Sequence, residues 1–167
     1  EYPHLLAAVN DALTAAKETF DASHYLWHTH QQGRLEVDFH AVSLEVGYHA
    51  PCHLKALEVG TPAVNLLRLV PGIRVRPIEK GCSGMAGLYG VKRKNYRNSL
   101  RAGLPLFNAL RQGKVQAGVT DCSTCRLQMI QGSSKPTLHP IKILAYAYGL
   151  MPEVRDLLNR PSTELVV

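Results

Sequence analysis

Four cysteines carry the most distinctive chemistry in this sequence: Cys52, Cys82, Cys122 and Cys125. The last two stand in Asp121-Cys122-Ser123-Thr124-Cys125, a C-x-x-C whose two sulfurs can face inward from one tight turn. Thiolates are soft ligands, and four of them around a tetrahedral centre suit an iron–sulfur cluster or a zinc ion. Cys52 and Cys82 must come from distant loops. A zinc ribbon usually supplies a second C-x-x-C, whereas a cluster of several irons spreads its ligands over a wider volume. The spacing therefore favours a cluster, with zinc as the alternative. A thiol–disulfide centre at Cys122 and Cys125 is a further alternative, which requires a depressed thiol pKa at a helix N-terminus. An even cysteine count suits disulfides in a small secreted domain, but a chain of 167 residues buries a core without such staples.

The residues around the cysteines fit the same chemistry. In Gly81-Cys82-Ser83-Gly84-Met85-Ala86-Gly87, closely spaced glycines let the backbone curl and turn N–H groups toward thiolates and sulfides. A dinucleotide cradle would need G-x-G-x-x-G spacing, which this run lacks. His49 and His53 flank Cys52, and His139 precedes Pro140; each is placed to hydrogen-bond a cluster sulfur, although a structural histidine is the simpler role. His24, His28 and His30 read as surface histidines of one helix rather than a ligand set. No Ser–His–Asp set or carboxylate pair is visible, so no independent catalytic centre is expected.

The elements that must position these residues alternate between strand and helix. Apolar residues at Leu5, Leu6, Val9, Leu13 and Ala16 predict a helix from Pro3 to about Phe20. Ser23 is placed to cap a second helix, which Gly33 ends. Strand period follows over Ser43–Tyr48, Ile73–Ile78 and Val115–Thr120, with a short fourth strand at Thr137-Leu138. Helices are expected from Pro62 to Pro71, from Lys92 to Arg111 with a break or kink at Gly103 or Pro105, from Cys125 to Ile130, and through Ile141 to Tyr148. This order predicts an α/β fold: a parallel sheet of about four strands flanked by helices, preceded by N-terminal helices. Residues 1–40 would be a helical segment packed on a cysteine-rich α/β domain of residues 41–167, a single domain overall. Cys52, Cys82 and Cys122 each follow a strand, and open parallel sheets bind ligands outside the carboxyl ends of their strands.

Bulk properties agree with a globular chain: 46% of residues are hydrophobic and 19% charged. No run approaches the roughly 18 apolar residues of a membrane helix. The net charge of +6 is concentrated partly in Lys92-Arg93-Lys94, Arg97 and Arg101. Sparse aromatic interleaving makes this a solvated helix face or a docking surface, with no nucleic-acid partner expected. The start, Glu1-Tyr2-Pro3-His4, lacks a methionine and a signal-peptide profile, so the chain is expected to be a piece of a longer protein.

Taken in order, His49-Ala50-Pro51-Cys52-His53-Leu54, Gly81-Cys82-Ser83-Gly84-Met85-Ala86-Gly87, Cys122-Ser123-Thr124-Cys125 and His139-Pro140 resemble the CCG-type cysteine-rich domain. That domain occurs in the B subunit of heterodisulfide reductase, in the C subunit of anaerobic glycerol-3-phosphate dehydrogenase and in the C-terminal part of FAD-linked oxidases. The resemblance covers roughly Tyr48 to Leu150. It implies that Cys52, Cys82, Cys122 and Cys125 are ligands of an iron–sulfur cluster, with His49, His53, Ser83, Gly84 and His139 around them. The family's usual paired cysteine is here Cys82-Ser83. One thiolate is therefore missing, which argues against a double-cubane-like cluster and for a single 4Fe-4S cluster. The resemblance further implies FAD in a partner domain or subunit, a 2-hydroxy acid or glycerol 3-phosphate as the parent enzyme's substrate, and a quinone or other carrier as acceptor. The module itself would be non-catalytic, in the cytoplasm or at the periphery of the inner membrane. The polar tail reads as a natural C-terminus, which favours the C-terminal domain of a fused FAD-linked oxidase.

Overall fold

The computed structural model describes residues 9–159. Four strands, β1 (Leu44–Tyr48), β2 (Ile73–Pro77), β3 (Ala117–Val119) and β4 (Thr137–Leu138), form one all-parallel sheet in the order β2-β1-β3-β4. Leu44 pairs with Ile73 and Tyr48 with Pro77 across β1 and β2, while Val46 to Tyr48 pair with Ala117 to Val119. Eight α-helices accompany the sheet among the described residues: α1 (Val9–Lys17), α2 (Ala22–Gln31), α3 (Cys52–Ala56), α4 (Pro62–Arg68), α5 (Tyr96–Gln112), α6 (Ser123–Ser133), α7 (Pro140–Ala147) and α8 (Glu153–Leu158). The chain is thus an α/β fold, as the alternation of periods predicts.

The period of two along β1 sends alternate residues to opposite faces. Leu44, Val46 and Tyr48 join the larger core with Ala63, Val64, Leu66 and Leu67 of α4 and Ile143, Leu144 and Ala147 of α7. A second core of Leu106, Phe107, Leu110, Val115 and Met129 involves α5 and α6. Gly47 makes room for it: a Cβ there would lie 2.6 Å from Ile78 and 3.0 Å from Leu110. α6 packs on α5 at Gly132, where a Cβ would come within 2.4 Å of the Phe107 ring. Helices covering both faces explain why all of β1 is buried.

Several boundaries differ from expectation for identifiable reasons. The predicted start of the first helix at Pro3, with Leu5 and Leu6, lies outside the described residues. Asp21, not Ser23, caps α2, accepting from the N–H groups of Ser23 and His24 at 2.9 and 3.2 Å. Ser23 is fully buried and its hydroxyl is used elsewhere. Pro105 sits inside an unbroken α5; it is exposed, so the Arg101 carbonyl it deprives of a partner faces the water side of the helix. Lys92 precedes a short 3-10 turn at Arg93–Asn95 rather than starting α5. No helix among the described residues is long and apolar enough to cross a membrane.

From β1 the chain goes to β2 on one side and then crosses to β3 on the other. The carboxyl ends of β1 and β3 therefore flank the switch point of the sheet, where open α/β folds form their ligand crevice.

Candidate metal centre

The ends of β1, β2 and β3 each deliver a cysteine to that crevice. β1 runs into His49-Ala50-Pro51, and Pro51 is the N-cap that starts α3 at Cys52. β2 leads through Ile78–Lys80 to Cys82, and β3 leads through Thr120 and Asp121 to Cys122. Cys122 is itself the N-cap of α6, its Sγ accepting from the Cys125 N–H at 3.5 Å. All four cysteines line one cavity of about 310 Å³, together with His49 and His53. Their depth is graded: Cys52 and Cys82 are exposed, Cys122 is half-buried and Cys125 is 6% exposed. Among the described residues no three His, Cys, Asp or Glu side chains converge tightly enough for a single metal ion.

The sulfurs already hold polar hydrogens. The Gly84 N–H donates to Cys82 Sγ at 3.2 Å, and Ser83 Oγ donates to Cys125 Sγ at 3.1 Å. Thr124 Oγ1 lies 3.2 Å from Cys122 Sγ. Burial pushes the Cys122 thiol up, but the Thr124 hydroxyl and the N–H groups and thiol of the α6 N-terminus outweigh it, so the net shift is down. Burial pushes Cys125 up to about 12, with Ser83 opposing and the neighbouring cysteines adding to the rise. Donors aimed at sulfur are what a thiolate centre needs, because they stabilise its negative charge.

The loop at Cys82 takes its shape from α5 and α6. Gly84 has φ +91°, and a Cβ there would lie 1.9 Å from the Ser99 carbonyl oxygen. Ser99 Oγ donates to the Gly84 carbonyl at 2.8 Å and accepts from Gln128 Nε2 at 2.7 Å. Ser83, fully buried, is thereby fixed beneath Cys125.

His49 is 3% exposed and its backbone N–H donates to the Val119 carbonyl. Burial, and then the nearby Lys55 ammonium, lower its pKa from the ordinary 6.5 to about 4. The unfolded chain therefore binds more protons between these values, and stability must rise with pH across that window. The expected result is a metal-free protein whose melting temperature falls as pH drops from 6.5 toward 4. The fall should be smaller in His49→Gln; equal slopes in the two proteins would remove His49 as the cause.

His139 does not join the cysteines. It caps α7, its Nδ1 accepting from the Ile141 N–H at 3.3 Å, and lines a separate cavity of about 570 Å³ beside Arg126 and Lys142. His24, His28 and His30 lie on α2, where His28 meets Gln32 and His30 stacks near Trp27. One group escaped sequence reasoning. Asp121 is buried, and its carboxylate accepts from Ser23 Oγ at 2.5 Å and Tyr48 Oη at 2.7 Å. The only hint in the sequence is an acidic residue closing an apolar strand just before a cysteine.

A family model described as the cysteine-rich domain (CCG) matches residues 46–130. Over 147 residues the chain is 35% identical to the C subunit of anaerobic glycerol-3-phosphate dehydrogenase from Escherichia coli (strain K12), an alignment covering 88% of this chain and 36% of that relative. The protein of the same name from Escherichia coli O157:H7 aligns with the same identity and coverage. The chain thus spans little more than a third of the length of the curated relatives it matches.

Proposed function

The chain belongs to the CCG family of cysteine-rich domains, and on that premise we propose that it is an iron–sulfur electron-transfer module of a larger dehydrogenase, binding one 4Fe-4S cluster. Cys52, Cys82, Cys122 and Cys125 are its ligands. The observation that carries this reading is that three separate strand ends bring all four thiols to one cavity. The donor set fits the group. Four soft ligands face a space wider than one ion requires, and Gly84, Ser83 and Thr124 supply hydrogen bonds to sulfur. Zinc held by the same four thiolates is the alternative, which the metal and sulfide content below separates from a cluster.

When bound, such a cluster supplies a one-electron carrier. The protein's part is to hold the sulfurs, to stabilise their charge, and to shield Cys125 while leaving the Cys52 and Cys82 side open to a partner. His49 and His53 border the centre from the β1 end. The buried Ser83 hydroxyl takes the place of the second cysteine of the family's usual pair and acts as a donor to Cys125. The similar proteins are named for glycerol-3-phosphate dehydrogenase, which favours glycerol 3-phosphate over a 2-hydroxy acid as the parent enzyme's substrate. Oxidation of that substrate would occur at FAD in another domain or subunit, with a quinone or similar carrier as acceptor. The setting we propose is the cytoplasm, at the periphery of the inner membrane. Residues 1–40 are proposed as a helical segment packed on the cysteine-rich domain of residues 41–167.

The test is metal and acid-labile sulfide content, with an absorption spectrum, on protein purified or reconstituted without oxygen. About four irons and four sulfides per chain, with a broad band bleached by dithionite, are expected. Stoichiometric zinc without sulfide, even after reconstitution, would overturn the electron-transfer reading.

A further inference from the structure

The net positive charge of this chain is not spread evenly. From Lys80 to Thr120 the sequence carries eight Lys and Arg residues and no Asp or Glu, against eleven and thirteen in the rest of the chain. The fold gathers five of these cations, Lys92, Arg93, Lys94, Arg97 and Arg101, at the 3-10 turn and the start of α5, and all five are exposed. Ion pairs among the described residues use Arg74, Arg76 and Arg155, so no described carboxylate answers these five.

Apolar side chains stand beside them. Leu88 is 70% exposed, Val91 62% and Tyr89 43%. Arg97, Arg101 and Leu104 then follow at helical spacing along one exposed face of α5. The loop that presents Leu88 and Val91 is not slack. The Gly90 N–H donates to the Met85 carbonyl at 3.0 Å, the Tyr89 N–H to the Ala86 carbonyl at 3.2 Å, and Asn95 Nδ2 to the Tyr89 carbonyl at 3.1 Å. Apolar side chains held in fixed places yet left in water mark a contact surface. Cations around such a centre match the polar rim of a protein interface, where Tyr and Arg are favoured.

We propose that residues 88–104 form a docking surface for an acidic face of a partner protein. The partner's carboxylates meet the five cations, and its apolar centre covers Leu88, Tyr89 and Val91. Position favours a protein over a lipid surface. The loop begins at Cys82, and its Ala86 and Gly87 line the cysteine cavity. A redox protein seated here lies beside the exposed Cys82 edge of the centre, which a bilayer would only cover. In that use the surface rests on the cluster reading above.

The experiment is surface plasmon resonance of the anaerobically reconstituted chain on the flavin-containing component of the parent dehydrogenase, prepared without this chain. It is run at about 50 and about 300 mM salt. Arg97→Glu/Arg101→Glu is expected to weaken binding about tenfold at low salt and less at high salt, because screening shrinks what the reversal costs. Leu88→Ser/Val91→Ser should weaken it about tenfold at both. Every substituted side chain is exposed, so the fold is kept. Arg68→Glu, an exposed cation of α4 on the opposite face of the sheet, is the control and should bind like the parent. Absence of binding, parent-like binding in either double variant, or an equal loss in Arg68→Glu overturns the docking surface. Binding instead to vesicles of phosphatidylglycerol and phosphatidylcholine, lost in the same double variants, assigns the face to lipid and overturns it too. Iron and sulfide contents are measured alongside. A chain that holds no cluster but still loses binding in both double variants defeats the electron-transfer reading and leaves the docking surface standing.

Discussion

Cys125→Ser protein prepared without oxygen is expected to hold almost no iron or acid-labile sulfide, while its far-ultraviolet circular dichroism stays that of the parent chain. Cys125 is the most deeply placed of the four sulfurs, on the first turn of α6, and receives the Ser83 hydroxyl. A serine hydroxyl is a harder and more weakly acidic donor, and cannot supply the thiolate that a soft metal centre requires. Cys122→Ser should behave alike, since the two residues grip from the same turn. The comparison is quantitative iron and sulfide analysis per folded chain. Full retention of both elements in either variant would remove the C-x-x-C from the ligand set.

The second large effect is expected at Gly84, and it concerns folding before chemistry. A side chain there meets two independent obstacles: φ is +91°, and the Cβ would lie 1.9 Å from the Ser99 carbonyl oxygen, which belongs to helix backbone and cannot swing aside. The backbone strain costs about 1–2 kcal/mol and the overpacking about 1–3 kcal/mol more. Gly84→Ala should therefore destabilise the metal-free protein by about 3 kcal/mol and lower its melting temperature by roughly 6–12 °C. Gly87 is the control, because its φ is also positive, at +64°, but nothing lies within 4 Å of its Cβ position. Gly87→Ala should show the strain alone. Equal losses in the two variants, read by thermal or urea unfolding, would mean that the contact with Ser99 is not what shapes the Cys82 loop.

The sequence displays the sheet clearly because its signals are local. Leu44, Val46 and Tyr48 alternate over one face, and Pro71-Gly72 separates α4 from β2. The grouping of the cysteines is likewise legible from their places after three strands, since parallel topology brings strand ends together. Where the reading falls short, the cause is contact between distant segments. Ser23 looks like a helix cap, yet its hydroxyl is drawn to Asp121, 98 residues away, and Asp21 takes over the cap. His139 looks like a neighbour of the cysteines because it follows β4, but it turns to cap α7 instead. Pro105 looks like a helix breaker, yet the tertiary contacts of Leu106, Phe107 and Leu110 hold α5 together. The short helix α3 shows no period at all, being a single turn started by Pro51.

The graded depth of the four sulfurs also dictates how the centre can be built and lost. Under the proposed ligand set, a cluster entering the site would meet first the flank where Cys52 and Cys82 are exposed. Cys122 and Cys125, held at the N-cap and first turn of α6, would form its floor. Decay runs the other way: oxidants and chelators reach the outer pair first, so the earliest damaged form should be one still gripped by the inner pair.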